Sequence, residues 1–332
     1  MHRTVFHRRD LLQGLSVAAA GLAIAPRAFA ADPPYPQRAI TIVVPYAPGG
    51  QGDVFARLVG ERLGAQLQQP VLVDNRPGAT GALGARLVAR AKPDGYTLLL
   101  GQTGEMAVNA SVVKQLGYDP VKDFQPIVLI GDAPLVLVVP ASAPYDTLAG
   151  LLAAAKAAPE GLSYASSGTA TPGHIAGASL ALSTGTKLVH VPYKGAGQAM
   201  ADLLGAQVQM FFPSASAVIA QVQSGKLKAL AVCGPQRIAA LPQVPTMAEA
   251  GHPKLQFSLW GGLFAPAGTP DAIVRMLNQR AGAIVEEPAL RKRFEGEGSA
   301  VARNTPEQFA ERVRRDVGLY AQVIRETGIH AD

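Results

Sequence analysis

Short apolar runs alternate with longer amphipathic segments along the chain from residue 39 onward. The run AITIVVP at 39–45 is apolar on both faces, as expected of a strand covered on both sides. The segment after it has helical spacing, with an apolar stripe formed by Phe55, Leu58, Val59 and Leu63. Two further strand-like runs, at 71–75 and 96–101, flank a helical pattern at 81–91. This β-α-β-α-β order predicts a parallel sheet with right-handed crossovers.

The same alternation repeats in the second half of the chain. Helical patterns there precede the apolar runs LSYAS, KLVHVPY, VQMFF and LKALAVCG. Three more helical segments, at 270–287, 288–295 and 305–327, follow the stretch WGGLFAPAGTP. A tail of this kind often packs back on the first unit. We therefore predict two α/β lobes, with lobe 1 formed by residues 31–133 and 254–332 and lobe 2 by residues 134–253.

The first 30 residues have the pattern of a secretory signal. A basic start is followed by an apolar stretch and by the small-residue ending AFA, so cleavage is predicted near Ala30. The pair Arg8-Arg9, followed by DLL, resembles a twin-arginine export signal, with an ordinary secretory signal as the alternative. The apolar stretch is too short and too rich in Ala and Gly for a retained transmembrane helix. The sequence therefore predicts an exported, periplasmic protein.

Composition and charge argue against several other classes of protein. The 332-residue chain has a net charge of +6, of which the predicted signal carries +3. The remaining basic residues are scattered apart from one modest cluster, LRKRF at 290–294, and no stacked aromatic residues lie among them, so nucleic-acid binding has little support. No cluster of His, Cys, Asp or Glu has metal-ligand spacing, and Cys233, alone in an apolar run, is predicted to be buried. We therefore predict neither a metal nor a cofactor.

Glycine-rich corners recur where predicted strands end, in the stretches APGGQGD, NRPGATGALG and SSGTATPGH. In open α/β sheets, ligands bind beyond the carboxyl ends of the strands, where first turns of helices offer unpaired N–H groups and partial positive charge. A carboxylate suits such a corner as well as a phosphate does. A nucleotide is disfavoured, because APGGQGD lacks both the terminal G-K-[ST] of a phosphate loop and the third glycine of a dinucleotide motif.

An exported serine hydrolase is an alternative that the residue types raise. Ser166 and Ser167 lie at a predicted strand end, and His174 and His190 are candidate bases. No G-x-S-x-G elbow is present, and helix capping is the commoner role of a stretch such as SSGTATP. The spacing alone does not place either histidine against a serine. We therefore predict a protein without catalysis and keep the hydrolase as the less favoured alternative.

Asp53, in the first turn of the first predicted helix, has two interpretations. An acidic residue there complements the helix dipole by about 0.3–1 kcal/mol. If the same corner faces an anionic ligand, the Asp53 carboxylate repels that ligand unless Asp53 points aside or binds an ammonium group of the ligand. We expect Asp53 to contact the ligand or to shape the site.

Successive blocks of the sequence resemble one known family. The blocks include YPQRAITIVVPYAPGGQGDVFARL, VLVDNRPGATGALGARLVARAKPDGYTLLL, LSYASSGTATPGHIA, HVPYKG and WGGLFAPAGTP, in the order and spacing of that family. These blocks identify the chain as similar to the Bug-type extracytoplasmic solute receptors of tripartite tricarboxylate transporters. The resemblance extends from about residue 35 to the C-terminus.

The resemblance implies a type II periplasmic binding-protein fold, in which two α/β lobes close on a small organic anion. It implies recognition of a carboxylate or an amino-acid-like ligand by backbone amides, small polar side chains and ordered water, often without an arginine clamp. The ligand-binding residues that we expect on this basis, together with Asp53, are Tyr46, Ala47, Pro48, Gly49, Gly50, Gly52, Gln102, Thr103, Ser166, Ser167, Gly168, Thr169, Thr171 and Ser214.

Two positions depart from the family pattern. Gly52 stands where relatives often carry a hydroxyl side chain, and Glu105 stands where they usually carry an uncharged residue. An acidic pair of Asp53 and Glu105 could select a ligand that carries an amine.

The function predicted from the sequence is that of a monomeric periplasmic receptor that delivers a small carboxylate to the membrane permease subunits of a tripartite transporter. A ligand sensor that feeds a signalling partner shares every binding feature and stays the alternative.

Overall fold

The computed structural model describes residues 35–300 and 303–330, so the predicted signal and its cleavage site lie outside the described residues. The strands are β1 (Ile40–Val44), β2 (Val71–Asn75), β3 (Thr97–Gln102), β4 (Phe124–Pro134), β5 (Val136–Pro140), β6 (Leu162–Ser166), β7 (Leu188–Pro192), β8 (Met210–Phe211), β9 (Leu227–Val232) and β10 (Ser258–Pro266). The helices are α1 (Gln51–Leu67), α2 (Ala82–Ala89), α3 (Asn109–Val112), α4 (Leu148–Ala157), α5 (Pro172–Thr184), α6 (Ala196–Leu204), α7 (Ala215–Gln223), α8 (Asp271–Val285), α9 (Pro288–Gly296) and α10 (Pro306–Thr327).

The strands form two five-stranded mixed sheets with the same layout. The first sheet has the order β2-β1-β3-β10-β4, and the second has the order β7-β6-β8-β5-β9. In each sheet three neighbouring strands are parallel, and the remaining two are antiparallel to the strands beside them. We call the first sheet with its helices lobe 1 and the second sheet with its helices lobe 2. This two-lobe α/β architecture confirms the predicted fold class.

The buried strands owe their position to continuous apolar sequence. Ile40, Ile42 and Val44 of β1 are fully buried, which fits a central strand that helices cover on both faces. Close packing also explains one glycine of the GATGALG stretch. A Cβ on Gly84 of α2 would lie 2.9 Å from the Cα of Pro45, so only glycine lets this helix pack directly on the chain that leaves β1.

The chain passes between the two sheets twice, at Leu135 and through residues 233–257. Backbone hydrogen bonds join the two passages: Cys233 N–H donates to Leu135 C=O, and Leu135 N–H donates to Phe257 C=O. Cys233 is buried there, as its apolar surroundings predict. The predicted lobe limits near residues 134 and 253 fall in these passages and stay a prediction.

The C-terminal helix α10 packs on β4 of lobe 1 and also contacts α5 of lobe 2. Arg312 of α10 donates hydrogen bonds to Asp132, Asp316 and Ser258, while the indole N–H of Trp260 donates to Asp316. This buried network fixes α10 beside the passages between the lobes.

Candidate functional site

A cavity of about 400 Å³ lies between the lobes, beyond the strand ends that carry the glycine-rich corners. Its polar lining residues are Tyr46, Thr80, Gln102, Asn109, Ser167, Thr169, Thr171 and Ser214. Its other lining residues are Gly104, Val112, Leu135, Ala170, Pro172, Gly173, Ala196, Phe212, Pro213, Ala217 and Leu259. Within the described residues the lining contains no Asp, Glu, Lys, Arg or His. The groups of this lining that can balance a ligand charge are therefore backbone, hydroxyl and carboxamide dipoles.

Lobe 2 supplies those dipoles through the starts of three helices. Helix α5 begins after Thr171, α6 after Gly195 and α7 after Ser214, and no side chain caps any of the three. Residues in the first turn or cap of each helix line the cavity, among them Gly173, Ala196 and Ser214 itself. Each helix start carries roughly half a unit of positive charge. Three such starts at one cavity make a site for an anion, even though none of the lining side chains is cationic.

The hydroxyl of Thr171 shows why α5 stays uncapped. It donates a hydrogen bond of 2.8 Å to the carbonyl of Gly168 and so turns away from the helix. Gly168 has φ of +140°, a backbone conformation that favours glycine. The loop thereby exposes Ser167, Thr169 and Thr171, three of the candidate ligand-binding residues, to the cavity.

Ser166 and the two histidines lie behind this loop. The Ser166 hydroxyl is fully buried and lies 2.6 Å from Nε2 of His190, whose ring stacks on His174 at 3.5 Å between centroids. The same hydroxyl donates to Gly168 C=O and accepts from Gly168 N–H. The Ser166 hydroxyl is therefore held by both the Gly168 backbone and the His190 imidazole.

Burial lowers the pKa of both imidazoles. The pKa of His174 falls to about 4, through burial and then the neighbouring His190, and that of His190 falls to about 4 through burial. The pair is therefore neutral at neutral pH. It supports the loop from behind, and Ser166 and Gly168 act on the cavity through backbone position.

In the lobe 1 corner after β1, the polar groups form hydrogen bonds with one another. The Asp53 carboxylate is buried and accepts hydrogen bonds of 3.0 Å from Gly49 N–H, Arg57 Nε and Asn75 Nδ2. The Arg57 hydrogen bond lowers the pKa of Asp53 to about 2, against the opposing effect of burial. Asp53 lies outside the cavity lining, and its contacts fix the turn at Gly49.

The other candidates in this corner divide between exposed turn and packed helix. Ala47, Pro48, Gly49 and Gly50 are exposed and are not among the residues that line the cavity.

Gly52 has a packing role. A Cβ at this position would lie 2.7 Å from the side-chain oxygen of Gln102, which does line the cavity. Glycine at position 52 thus leaves room for the carboxamide of Gln102.

A second carboxyl group lies under the lobe 1 side of the cavity. Glu105 belongs to a π-helical turn, Gly104–Val108, directly after β3, and is fully buried. Its two oxygens accept hydrogen bonds from the Tyr46 hydroxyl at 2.7 Å and from Gln102 N–H at 2.6 Å. Burial raises the pKa of Glu105 to about 7, although these hydrogen bonds act to lower it.

Thr103, the remaining candidate of lobe 1, is buried and faces the sheet. Its hydroxyl oxygen accepts a hydrogen bond of 2.8 Å from Trp260 N–H on β10. It therefore fixes two strands to each other and does not line the cavity.

Sequence reasoning missed the Thr80–Asn109 pair and the apolar wall. The Asn109 side-chain amide donates 3.0 Å to Thr80 C=O, and Thr80 has φ of +50° in a 3₁₀ turn. The glycines around Thr80 signal this turn, but they do not show that it faces the cleft. Phe212 and Leu259 line the cavity from segments that read only as buried strands.

Two lobes of equal topology, with an uncharged cavity between helix starts, define a two-lobe solute receptor. The family comparison agrees: residues 55–329 match the tripartite tricarboxylate transporter family receptor, and the chain belongs to this family.

Relatives support this assignment along most of the chain. Protein BugT of Bordetella pertussis is 37% identical over 316 residues, which cover 95% of this chain and 96% of BugT. A solved structure of an R. palustris protein with adipate shares 32% identity with a TM-score of 0.79, covering 90% of this chain and 99% of that one. The structure of MatC from Rhodopseudomonas palustris with bound malate shares 31% identity with a TM-score of 0.75, covering 87% and 100%.

In the described part of the chain, no helix combines the length and apolarity needed to cross a membrane. The same residues contain no group of three or more His, Cys, Asp or Glu side chains arranged to hold a metal ion.

Proposed function

We propose that the protein is a periplasmic receptor that captures a small carboxylate between its lobes and delivers it to the permease subunits of a tripartite tricarboxylate transporter. The observation that carries the proposal is the convergence of three uncapped helix starts, those of α5, α6 and α7, on a cavity without charged side chains. Such a site rewards a negative charge and offers no ion pair to a positive one. Two members of the same fold, at 31–32% identity, hold adipate and malate.

The lining also bears on the body of the ligand. Hydroxyl and amide groups occupy the loop and turn positions, whereas Leu135, Phe212 and Leu259 form an apolar wall. A carboxylate with a short aliphatic or aromatic body satisfies both kinds of surface. The absence of a cation from the described lining removes the reason to prefer a tricarboxylate, whose three charges would need more compensation than helix dipoles give.

Capture proceeds by closure of the lobes about the two passages near Leu135 and residues 233–257. A ligand that contacts both lobes stabilises the closed form, since it binds that form more tightly than the open one. The permease then recognises the closed form, which is the signal that ligand is present. The predicted signal at residues 1–30 exports the receptor, which acts as a monomer.

The proposal is tested by a thermal-shift screen of the chain from residue 31 onward. The panel contains adipate, malate, aromatic acids and amino acids, and each acid is paired with its amide, which lacks the carboxylate charge. A ligand that binds only the folded state stabilises it by about 2.7 kcal/mol at one hundred times its dissociation constant. We expect at least one acid to raise the melting temperature and its amide to leave it unchanged. Equal shifts with acids and amides, or no shift from any acid, would contradict the proposal.

A further inference from the structure

Glu105 is a buried carboxyl group that the proposed binding mechanism leaves without a role. Its side chain is 0% exposed, and both of its oxygens accept a hydrogen bond, one from the Tyr46 hydroxyl and one from Gln102 N–H. No ion pair joins it to any Lys, Arg or His among the described residues, in contrast to Asp53 with Arg57. Burying an ionised carboxylate without a cation costs free energy, and taking up a proton removes that cost.

The titratable groups facing Glu105 are two phenols. Tyr46, from the turn after β1, contacts the carboxylate, and Tyr118 donates its hydroxyl to the Glu105 main-chain carbonyl at 2.6 Å. Arg86 of α2 acts on the Tyr118 phenol and not on the Glu105 carboxylate. On the packed C-terminal helix, the charges of Arg312 and Asp316 are engaged with each other. Burial raises the pKa of both tyrosines, so they stay protonated near neutral pH. Glu105 is therefore the group at this place that exchanges a proton in that range.

Both groups that hold the carboxylate also line the ligand cavity. Tyr46 and Gln102 are lining residues, and so is Gly104, the residue before Glu105. A Cβ on Gly104 would lie 3.0 Å from the Tyr46 hydroxyl oxygen, which places that hydroxyl at the cavity wall. The negative charge of Glu105 is thus one hydrogen bond away from the space that the ligand occupies.

The two protonation states of Glu105 give Tyr46 opposite roles. When Glu105 is ionised, the only hydroxyl proton of Tyr46 is donated to it. When Glu105 takes a proton from solvent on Oε2, that proton is donated to the Tyr46 oxygen, and the phenol proton is released for another acceptor. The first state repels an anion in the cavity, and the second offers it a hydrogen-bond donor.

We propose that ligand capture is linked to proton uptake, with Glu105 taking one proton from solvent as a carboxylate enters and Tyr46 turning its hydroxyl proton toward that carboxylate. This inference rests on the proposed function. Glu105 acts through Tyr46 and is a positioning residue. It makes the receptor bind anions more tightly as the pH falls toward neutrality, and it disfavours binding at alkaline pH.

The decisive experiment is isothermal titration of adipate at pH 6.5, 7.5 and 8.5, in phosphate and in Tris, whose ionisation enthalpies differ. Adipate stays almost fully ionised over this range, so a pH effect belongs to the protein. We expect uptake of close to one proton at pH 8.5 and a rise of about twentyfold in the dissociation constant from pH 6.5 to 8.5. Glu105→Gln should abolish both effects. The matched control Glu61→Gln, at an exposed position on α1, should keep them. A wild-type protein that takes up no proton would overturn the proposal.

A second measurement needs no ligand, and its main readout is made on the wild-type protein. Carbon-13 NMR of glutamate-labelled apo protein reports the titration midpoint of each carboxyl group. We expect one glutamate to titrate near neutral pH, and Tyr46→Phe to move that midpoint upward by removing a hydrogen bond to the ionised form. A set of glutamates that all titrate below pH 5.5 would overturn the proposal. If malate and adipate both fail to bind at every pH, the proposed function is in question, while the NMR midpoint still decides whether Glu105 exchanges a proton.

Discussion

The two lobes place loops at equivalent strand ends, yet they differ in the charged and dipolar groups that they hold near the cavity. Lobe 2 leaves three helix starts uncapped around the cavity and keeps its buried histidines neutral behind them. Lobe 1 buries two carboxyl groups, Asp53 and Glu105, within its turn and its π-helical segment. In the proposed binding mechanism, lobe 2 therefore attracts the anion, and lobe 1 sets the shape of the cavity and the charge that it tolerates.

The same difference predicts opposite pH effects on the stability of the two lobes. The pKa of the lobe 2 histidines is depressed, so the unfolded chain binds more protons than the folded one between about pH 4 and 6.5. Their neutral form stabilises the fold above pH 6.5, and this stability is lost as the pH falls toward 4. We expect roughly 3 kcal/mol from His174. Urea unfolding of wild type and His174→Phe at pH 4.5 and 7 measures it, and equal pH slopes in the two proteins would contradict the assignment.

Glu105 has the opposite sign, because its folded pKa is raised. The folded protein binds the extra proton, so the contribution of Glu105 is fully present below its unfolded pKa of 4.5 and is lost as the pH rises through about 7. We expect Glu105→Gln to gain roughly 3 kcal/mol relative to wild type between pH 4.5 and 8. Unfolding titrations at both pH values check this. A constant difference across that range would mean that Glu105 does not change its protonation on unfolding.

A variant of Asp53 distinguishes between two roles for this carboxylate in lobe 1: fixing the turn and repelling an anionic ligand. Its folded pKa of about 2 means that its stabilisation is present above its unfolded pKa of 3.8 and disappears as the pH falls through 2. Removing the carboxylate in Asp53→Ala should cost roughly 2 kcal/mol at pH 7. Thermal unfolding measures that cost. A gain in anion affinity larger than the loss of stability would instead mark Asp53 as a ligand-repelling group.

Thr103 should give the smallest effect. Thr103→Val removes the acceptor of the Trp260 N–H bond inside the sheet and should cost about 1 kcal/mol of stability. Ligand affinity should stay unchanged, because the side chain does not line the cavity. Calorimetric titration with adipate is the check, and a tenfold loss of affinity would place Thr103 in the site after all.

The sequence predicted elements well and the inward-facing residues only partly. Strand and helix positions followed from apolar periodicity, because burial on a sheet or helix face leaves a repeating pattern. The loop from Ser167 to Thr171 was found because glycine and hydroxyl residues mark a strand end.

The corner after β1 in lobe 1 shows which contacts cannot be predicted from apolar periodicity. Gly49 and Gly50 mark a turn in the sequence, but Asp53 closes that turn on itself and leaves Gln102 to face the cavity. Asp53 also accepts a hydrogen bond from Asn75, which is 22 residues away in the sequence, and apolar periodicity does not predict such a pairing. Only the folded chain reveals it.

If a carboxylate binds between uncapped helix starts in an uncharged cavity, a fixed negative charge placed in that cavity should oppose its binding. Ala217 on α7 lines the cavity, whereas Ala220 on the same helix is exposed. We predict that Ala217→Glu weakens adipate binding at least a hundredfold by calorimetric titration, while Ala220→Glu binds as wild type does. Equal affinity in Ala217→Glu and wild type would mean that the carboxylate does not bind in this cavity.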